Sequence, residues 1–121
     1  MLDRACPCGL PALYAACCGR FHAGEPAPTA ELLMRSRFSA FALGDAAHLR
    51  LTWDPATRPR RLDLTDDVRW TRLEVLGHTG GGVLDSEGTV EFRAHHVGGV
   101  MHENSRFRRD GRRWLYVGPV T

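Results

Sequence analysis

No stretch of the 121 residues approaches the twenty consecutive apolar positions that a membrane-crossing helix needs. The opening MLDRACPCGL also lacks the continuous hydrophobic region of a secretory signal. Membrane insertion is therefore not expected, and a cytoplasmic setting is. An excess of one charge sign is missing too. Sixteen basic and fourteen acidic residues leave a formal net charge of +2, too little to imply nucleic acid as a partner. Lysine is absent, and all the basic residues are arginine, which reads as coding composition rather than function. The densest basic runs, RPRR at 58–61 and Arg106, Arg108, Arg109, Arg112 and Arg113, read as solvated surface. Beyond residue 18 there is no cysteine. The length fits one domain, with room for a small appendage, and can bury a core without staples.

The cysteines that are present all lie within residues 6–18, as Cys6-x-Cys8 followed after eight residues by Cys17-Cys18. In a reducing compartment such a cluster points to metal or redox chemistry more than to disulfides. Four thiolates around one ion suit Zn²⁺, which takes tetrahedral sulfur sites and has no redox chemistry of its own. Cys6, Pro7, Cys8 and Gly9 can form a tight loop offering two sulfurs. PALYAACC can make two helical turns and return the other two. His22 is an alternative to Cys18 as fourth ligand. A disulfide pair or inert free thiols are the competing readings, although adjacent cysteines rarely bond to each other. A closed four-sulfur site leaves no open coordination position, so the expected zinc, one per chain, is structural.

GEPAPT at 24–29 reads as a linker. TAELLMRSRFSAFALG then predicts a helix with Thr29 as N-cap, Glu31 in the first turn and Gly44 as stop. Met34, Phe38 and Phe41 share one face with Arg37 at its margin, while Leu32 and Leu43 lie opposite, so two surfaces should cover this helix. A short helix starts at Asp45, and residues 54–67 read as an irregular loop. From Val68 the chain alternates in the manner of strands: VRWTRLEVLGH, GTVEFRAHHV, VMHENSRFRR and RRWLYVG. Helices followed by antiparallel strands indicate an α+β fold with the helices on one sheet face.

Taking Gly98-Gly99 and Asp110-Gly111 as two-residue turns fixes a register. One face then carries the pairs His96/Met101, Ala94/Glu103, Phe92/Ser105 and Val90/Phe107, with Trp114 opposite Phe107 and Tyr116 opposite Ser105. The other face pairs His95 with His102, Arg93 with Asn104, and Glu91 with Arg106 as an exposed ion pair. The large aromatics share one face, with a polar inset of Glu103, Ser105, His96 and the Tyr116 hydroxyl. A carboxylate there needs a partner. Arg37 is the nearest candidate.

CPCG…YAACC resembles the SEC-C zinc motif, also found at the C-terminus of the SecA translocation ATPase, with Cys6, Cys8, Cys17 and Cys18 at its four ligand positions. Leu10 and Pro11 replace the usual Ser and Gly. CCGRFHAGEPAPTAELLMRSRFSAFALGD, TW, GTVEFRAHH, HENSRF and GRRWLYV are similar, in order, to the YchJ family of small bacterial proteins. The resemblance covers nearly the whole chain. It implies a SEC-C motif at residues 1–24 and, at residues 25–121, a domain like nuclear transport factor 2, a cone of curved antiparallel sheet wrapped around helices. It implies no established activity.

Two functions compete, the first being the expected one and the second, which includes an enzyme, the alternative. In one, the zinc knuckle is a docking module presenting LPALY and GRFH to another protein or, less favoured, to nucleic acid, in a monomer or weak dimer. In the other, the cone cavity binds a small molecule or performs proton transfer. Glu103 would be the base there, Ser105, Tyr116 and His96 would orient the substrate, Arg37 would lie close by, and Trp53 would stand at the mouth. Mutual hydrogen bonding of these groups without catalysis is the simpler alternative.

Overall fold

Thr29 starts the long helix as expected. Its side chain accepts a hydrogen bond from Leu32 N at 3.1 Å, and Glu31 sits in the first turn, where the helix dipole favours an anion. The computed structural model describes residues 4–62, 64 and 68–120. Before the long helix come a 3₁₀ turn at Tyr14–Ala16 and a short helix α1, Cys18–His22. The long helix α2 spans Ala30–Leu43 and stops at Gly44, whose φ of +77° is left-handed. A short helix α3, Ala46–Leu51, follows at once, capped by Asp45, which accepts from His48 N at 3.1 Å. No helix of the described residues is long and apolar enough to cross a membrane. The loop expected at 54–67 falls partly outside the described residues.

Four strands follow: β1 Trp70–Gly80, β2 Glu87–His96, β3 Gly99–Asp110 and β4 Arg113–Pro119. They form an antiparallel meander in the order β1-β2-β3-β4. Register shifts in β1 and between Arg106 and Phe107 of β3 bend the ladder, as bulges do, so the sheet is open and curved. The free edge of β4 is partly covered. Tyr116 N donates to Thr52 O and Asp54 N donates to Tyr116 O, both at 2.8 Å, making Trp53 a short parallel partner.

The core lies between α2 and the inner face of the sheet. Leu33, Met34 and Phe38 meet Leu73, Val90, Phe92, Phe107 and Trp114 there. Phe21 of the cysteine segment is only 1% exposed and belongs to this same cluster. The knuckle is thus packed onto the domain. Arg35 Nη1 donates to Cys8 O at 3.0 Å, and Cys6 Sγ lies 3.6 Å from Ser39 Oγ. Leu13, in the LPALY stretch, is 50% exposed.

Both hairpins are shifted by two residues from the expected register. The first turn is Val97-Gly98, so Phe92 faces Glu103 and Ala94 faces Met101. Gly98 takes the left-handed φ (+107°) that the turn needs, which frees Gly99 to join β3. The second turn is Gly111-Arg112, with Gly111 at φ +63° in the first position as type II′ requires, and Phe107 faces Tyr116. A slip of two leaves every side chain on its expected face, because the pleat repeats every second residue. The pairings on the outer face do change. Glu91 accepts from His102 Nε2 at 2.7 Å instead of pairing with Arg106, and His95 pairs with Glu74 at 3.2 Å, away from His102.

Candidate functional site

The cysteine cluster is built by three local devices. Gly9, at φ +90°, reverses the chain after Cys6-Pro7-Cys8 and donates to Cys6 O at 3.2 Å. Cys6 N then donates to Ala12 O, pairing the two arms of the loop. The 3₁₀ turn delivers Cys17, whose N–H bonds Tyr14 O, and α1 begins at Cys18. All four thiols are free and buried, and their sulfurs lie within 4.8 Å of one another.

A tetrahedral ion with Zn–S bonds of the usual length has S···S edges of about 3.8 Å. Cys8 and Cys17 are already 3.7 Å apart. The donor chemistry fits as well. The Cys8 thiol is drawn down to about 5, chiefly by its hydrogen bond with Cys18. That bond and burial push Cys18 up, and burial first of all pushes Cys17 up to about 11. Four thiols in mutual contact cannot all ionise alone, whereas a dication offsets half of the four charges and binds every thiolate. The four cysteines can therefore bind a metal.

His22 does not join them. Its Nδ1 is 2.6 Å from the Tyr14 hydroxyl and its Nε2 is 2.8 Å from Ser36 O. Its ring packs at a tilt of 50° against that of His48, centroids 4.5 Å apart, at the seam between knuckle and helices. Burial pulls His48 down to about 4, so it is neutral at pH 7. No sequence signal marked His48 or Tyr14 as partners of His22.

The second feature is a cavity of about 220 Å³ between α2 and the sheet. Met34, Phe38 and Phe41 of α2 and Trp70, Phe92 and Phe107 of the sheet make its walls apolar. Met101, also in the lining, is 40% exposed and marks the mouth. Of the candidate pocket residues, Glu103, Ser105, Tyr116, Arg37 and Trp53 all line this space. His96 does not. It sits at the end of β2 with its ring edge-on to Trp70 at 5.2 Å and its Nδ1 3.2 Å from Val97 O. Trp70 and Met101 are lining residues that sequence reasoning missed. Their alternation marked a buried face but not the gap in front of it.

Glu103 and Arg37 are not hydrogen-bonded to each other. Glu103 Oε2 accepts from Ser105 Oγ at 2.5 Å and from the Tyr116 hydroxyl at 2.8 Å. Burial and the neighbouring carboxylate push the Tyr116 phenol up, so it stays protonated as a donor. Arg37, 5% exposed, is claimed by α3. Its Nη1 donates to Leu49 O at 3.0 Å and to Thr52 Oγ1 at 2.8 Å. Its guanidinium lies 4.8 Å from the Trp53 ring centroid and 4.6 Å from that of Tyr116. Burial pulls it down to about 10, which leaves it charged at neutral pH. Asp54, next to Trp53, holds this corner through Arg108, with Oδ2 2.7 Å from Nε and Oδ1 3.1 Å from Nη2.

A curved four-stranded sheet closed by helices around a cavity, with a four-cysteine knuckle at its N-terminus, defines a class: nuclear transport factor 2-like domains that carry a SEC-C motif. Residues 29–119 match the family model described as "YchJ, middle NTF2-like domain". The chain belongs to the YchJ family. A UPF0225 protein of Streptomyces avermitilis is 56% identical over 114 residues, 93% of this chain and 81% of its own. One from Corynebacterium glutamicum is 50% identical over 119 residues, 95% of each. The solution structure of a SEC-C motif containing protein from Rhodopseudomonas palustris is 35% identical with a TM-score of 0.76, covering 93% of this chain and 94% of that one. The crystal structure of a SEC-C motif containing protein from Psychrobacter arcticus is 30% identical with the same TM-score, covering 96% and 81%.

Proposed function

We propose that this protein is a small-molecule-binding module in which a knuckle holding one structural zinc ion braces the side of a ligand-binding cone. The observation that carries this reading is the cavity, with aromatic walls, a mouth at Met101 and a carboxylate, Glu103, inside it. Apolar clefts with a few convergent polar groups are the usual form of small-molecule sites. Cys6, Cys8, Cys17 and Cys18 would hold the zinc, with every position filled by sulfur, so the ion would cross-link the knuckle and take no part in chemistry. The division into residues 1–24 and 25–121 belongs to this reading and is supported by the family match over 29–119. So does a cytoplasmic setting, in which the thiols stay reduced.

Docking of another protein through the knuckle is the second reading. Phe21 and the His22 side chain are buried, so GRFH offers little surface, and what favours docking is the exposure of Leu13. Proton transfer at Glu103 stands behind both, since two donors already hold its Oε2. The test is a fragment screen followed by NMR of the full chain. Binding that shifts the Trp53 and Trp70 indole signals supports the cavity. A Leu13→Asp change that abolishes all partner binding, with no fragment ever shifting those indoles, would reverse the order of the readings.

A further inference from the structure

Two charged groups of the cavity keep hydrogen-bonding capacity open. Glu103 spends Oε2 on Ser105 and Tyr116, and among the described residues its Oε1 has no partner. Arg37 spends Nη1 on Leu49 and Thr52, and its Nε and Nη2 have none. Both groups meet on one tyrosine. The guanidinium lies over the Tyr116 ring, and the carboxylate takes the Tyr116 hydroxyl. The cavity therefore presents an open acceptor and open donors around one tyrosine, and the rest of its lining, Ser105 aside, is apolar or aromatic.

Charge balance narrows what can enter. One cation and one anion cancel, so a ligand with net charge would leave an uncompensated charge against a mostly apolar lining. A zwitterion fits the balance but not the inventory. An ammonium brings three donors to a site with one open acceptor atom, and the others would face hydrocarbon. Glu103 has one open acceptor atom and Arg37 has open donors at Nε and Nη2, so both need hydrogen bonds rather than a counter-ion.

Resting on the reading of the cavity as a binding site, we propose that its ligand is a flat, neutral ring with adjacent N–H and C=O groups, a lactam or cyclic imide, whose N–H donates to Glu103 Oε1 and whose carbonyl accepts from Arg37. The ring body would lie among Phe38, Trp70 and Phe92, where aromatic contacts are offset or edge-on.

The full chain is titrated by NMR with 2-pyridone, toluene, benzoate, benzylammonium and phenylalanine, reading the tryptophan indole signals. 2-Pyridone should bind most tightly. In Glu103→Gln, the amide oxygen can take over the bonds from Ser105 and Tyr116 while the amide nitrogen turns a donor toward the cavity. Affinity for 2-pyridone should then fall about tenfold or more, the value of one hydrogen bond to a charged group. Toluene binding should be unchanged, which also shows that the variant is folded. Toluene binding as well as 2-pyridone, or tighter binding of benzoate, benzylammonium or phenylalanine, would overturn the ligand class and leave the binding cavity standing. A variant that binds 2-pyridone as well as the wild type would overturn the role given to Glu103. If none of the probes moves the indole signals, the cavity reading falls, and the ligand class with it.

Discussion

Asp54→Asn should cost the protein stability in a way that depends on pH. Asp54 is buried behind α3, takes two bonds from Arg108, and accepts a third from Ala56 N at 3.0 Å. The Arg108 bond first, and then the Ala56 N–H, hold its carboxyl down at about 2, from an ordinary 3.8. A carboxyl depressed on folding stabilises the native state above its unfolded pKa and loses that contribution as pH falls through the folded one. A shift of that size corresponds to about 2 kcal/mol at pH 7. The Arg108 side chain is 40% exposed. Solvent screening at that partner brings the expectation to roughly 1–2 kcal/mol. Urea denaturation of the wild type and Asp54→Asn should therefore differ by that amount at pH 7. The gap should shrink to about half near pH 3 and nearly close at pH 2. A metal held by the four thiols would be lost at low pH from both proteins alike and would cancel in the difference. A gap that stays constant from pH 7 to pH 2 would refute the ion-pair argument and assign the effect to packing. Trp53 fluorescence gives a second readout, because Asp54 fixes the residue beside it.

Metal analysis of protein purified under reducing conditions should find about one zinc per chain. Cys17→Ser should lose most of the affinity for it, and a protein free of zinc would remove the ligand assignment. Chelation should lower the melting temperature and raise amide exchange over residues 6–22 while β2 and β3 keep their protection. Exchange as fast as a free terminus before chelation would contradict the docking of the knuckle on α2. Arg37→Met should destabilise by about 3 kcal/mol, since two hydrogen bonds to a charged donor and two ring contacts are lost while the cost of burying the guanidinium is recovered. A neutral or stabilising result in urea denaturation would show that recovery to dominate.

The parts of this fold written in local chemistry were readable in advance. Thr29, Glu31 and Gly44 bound α2 because caps act within one turn of the residues they serve. The inner face of the sheet was readable because alternation survives a two-residue slip. The register was not, since Gly98 and Gly99 both suit a turn and cross-strand packing decides between them. Arg37 was placed at the right margin but given the wrong partner. Its bonds to Leu49 O and Thr52 Oγ1 exist only once α3 has folded back on α2. His96 fell on the expected face, yet its position at the strand end takes it to Trp70 and out of the cavity. The cysteine spacing was the strongest signal, because four thiols in thirteen positions leave few geometries.

Helix α2 has two neighbours within barely two turns. Arg35, Ser36 and Ser39 hold the cysteine segment, while Met34, Arg37, Phe38 and Phe41, interleaved with them, line the cavity. A rigid helix cannot rotate or slide on one side alone. Any rearrangement of the thiols that shifts α2 carries the far wall of the cone with it, and a molecule wedged into the cone pushes back through the same residues. An occupant at either end would therefore bear on the other through this one helix.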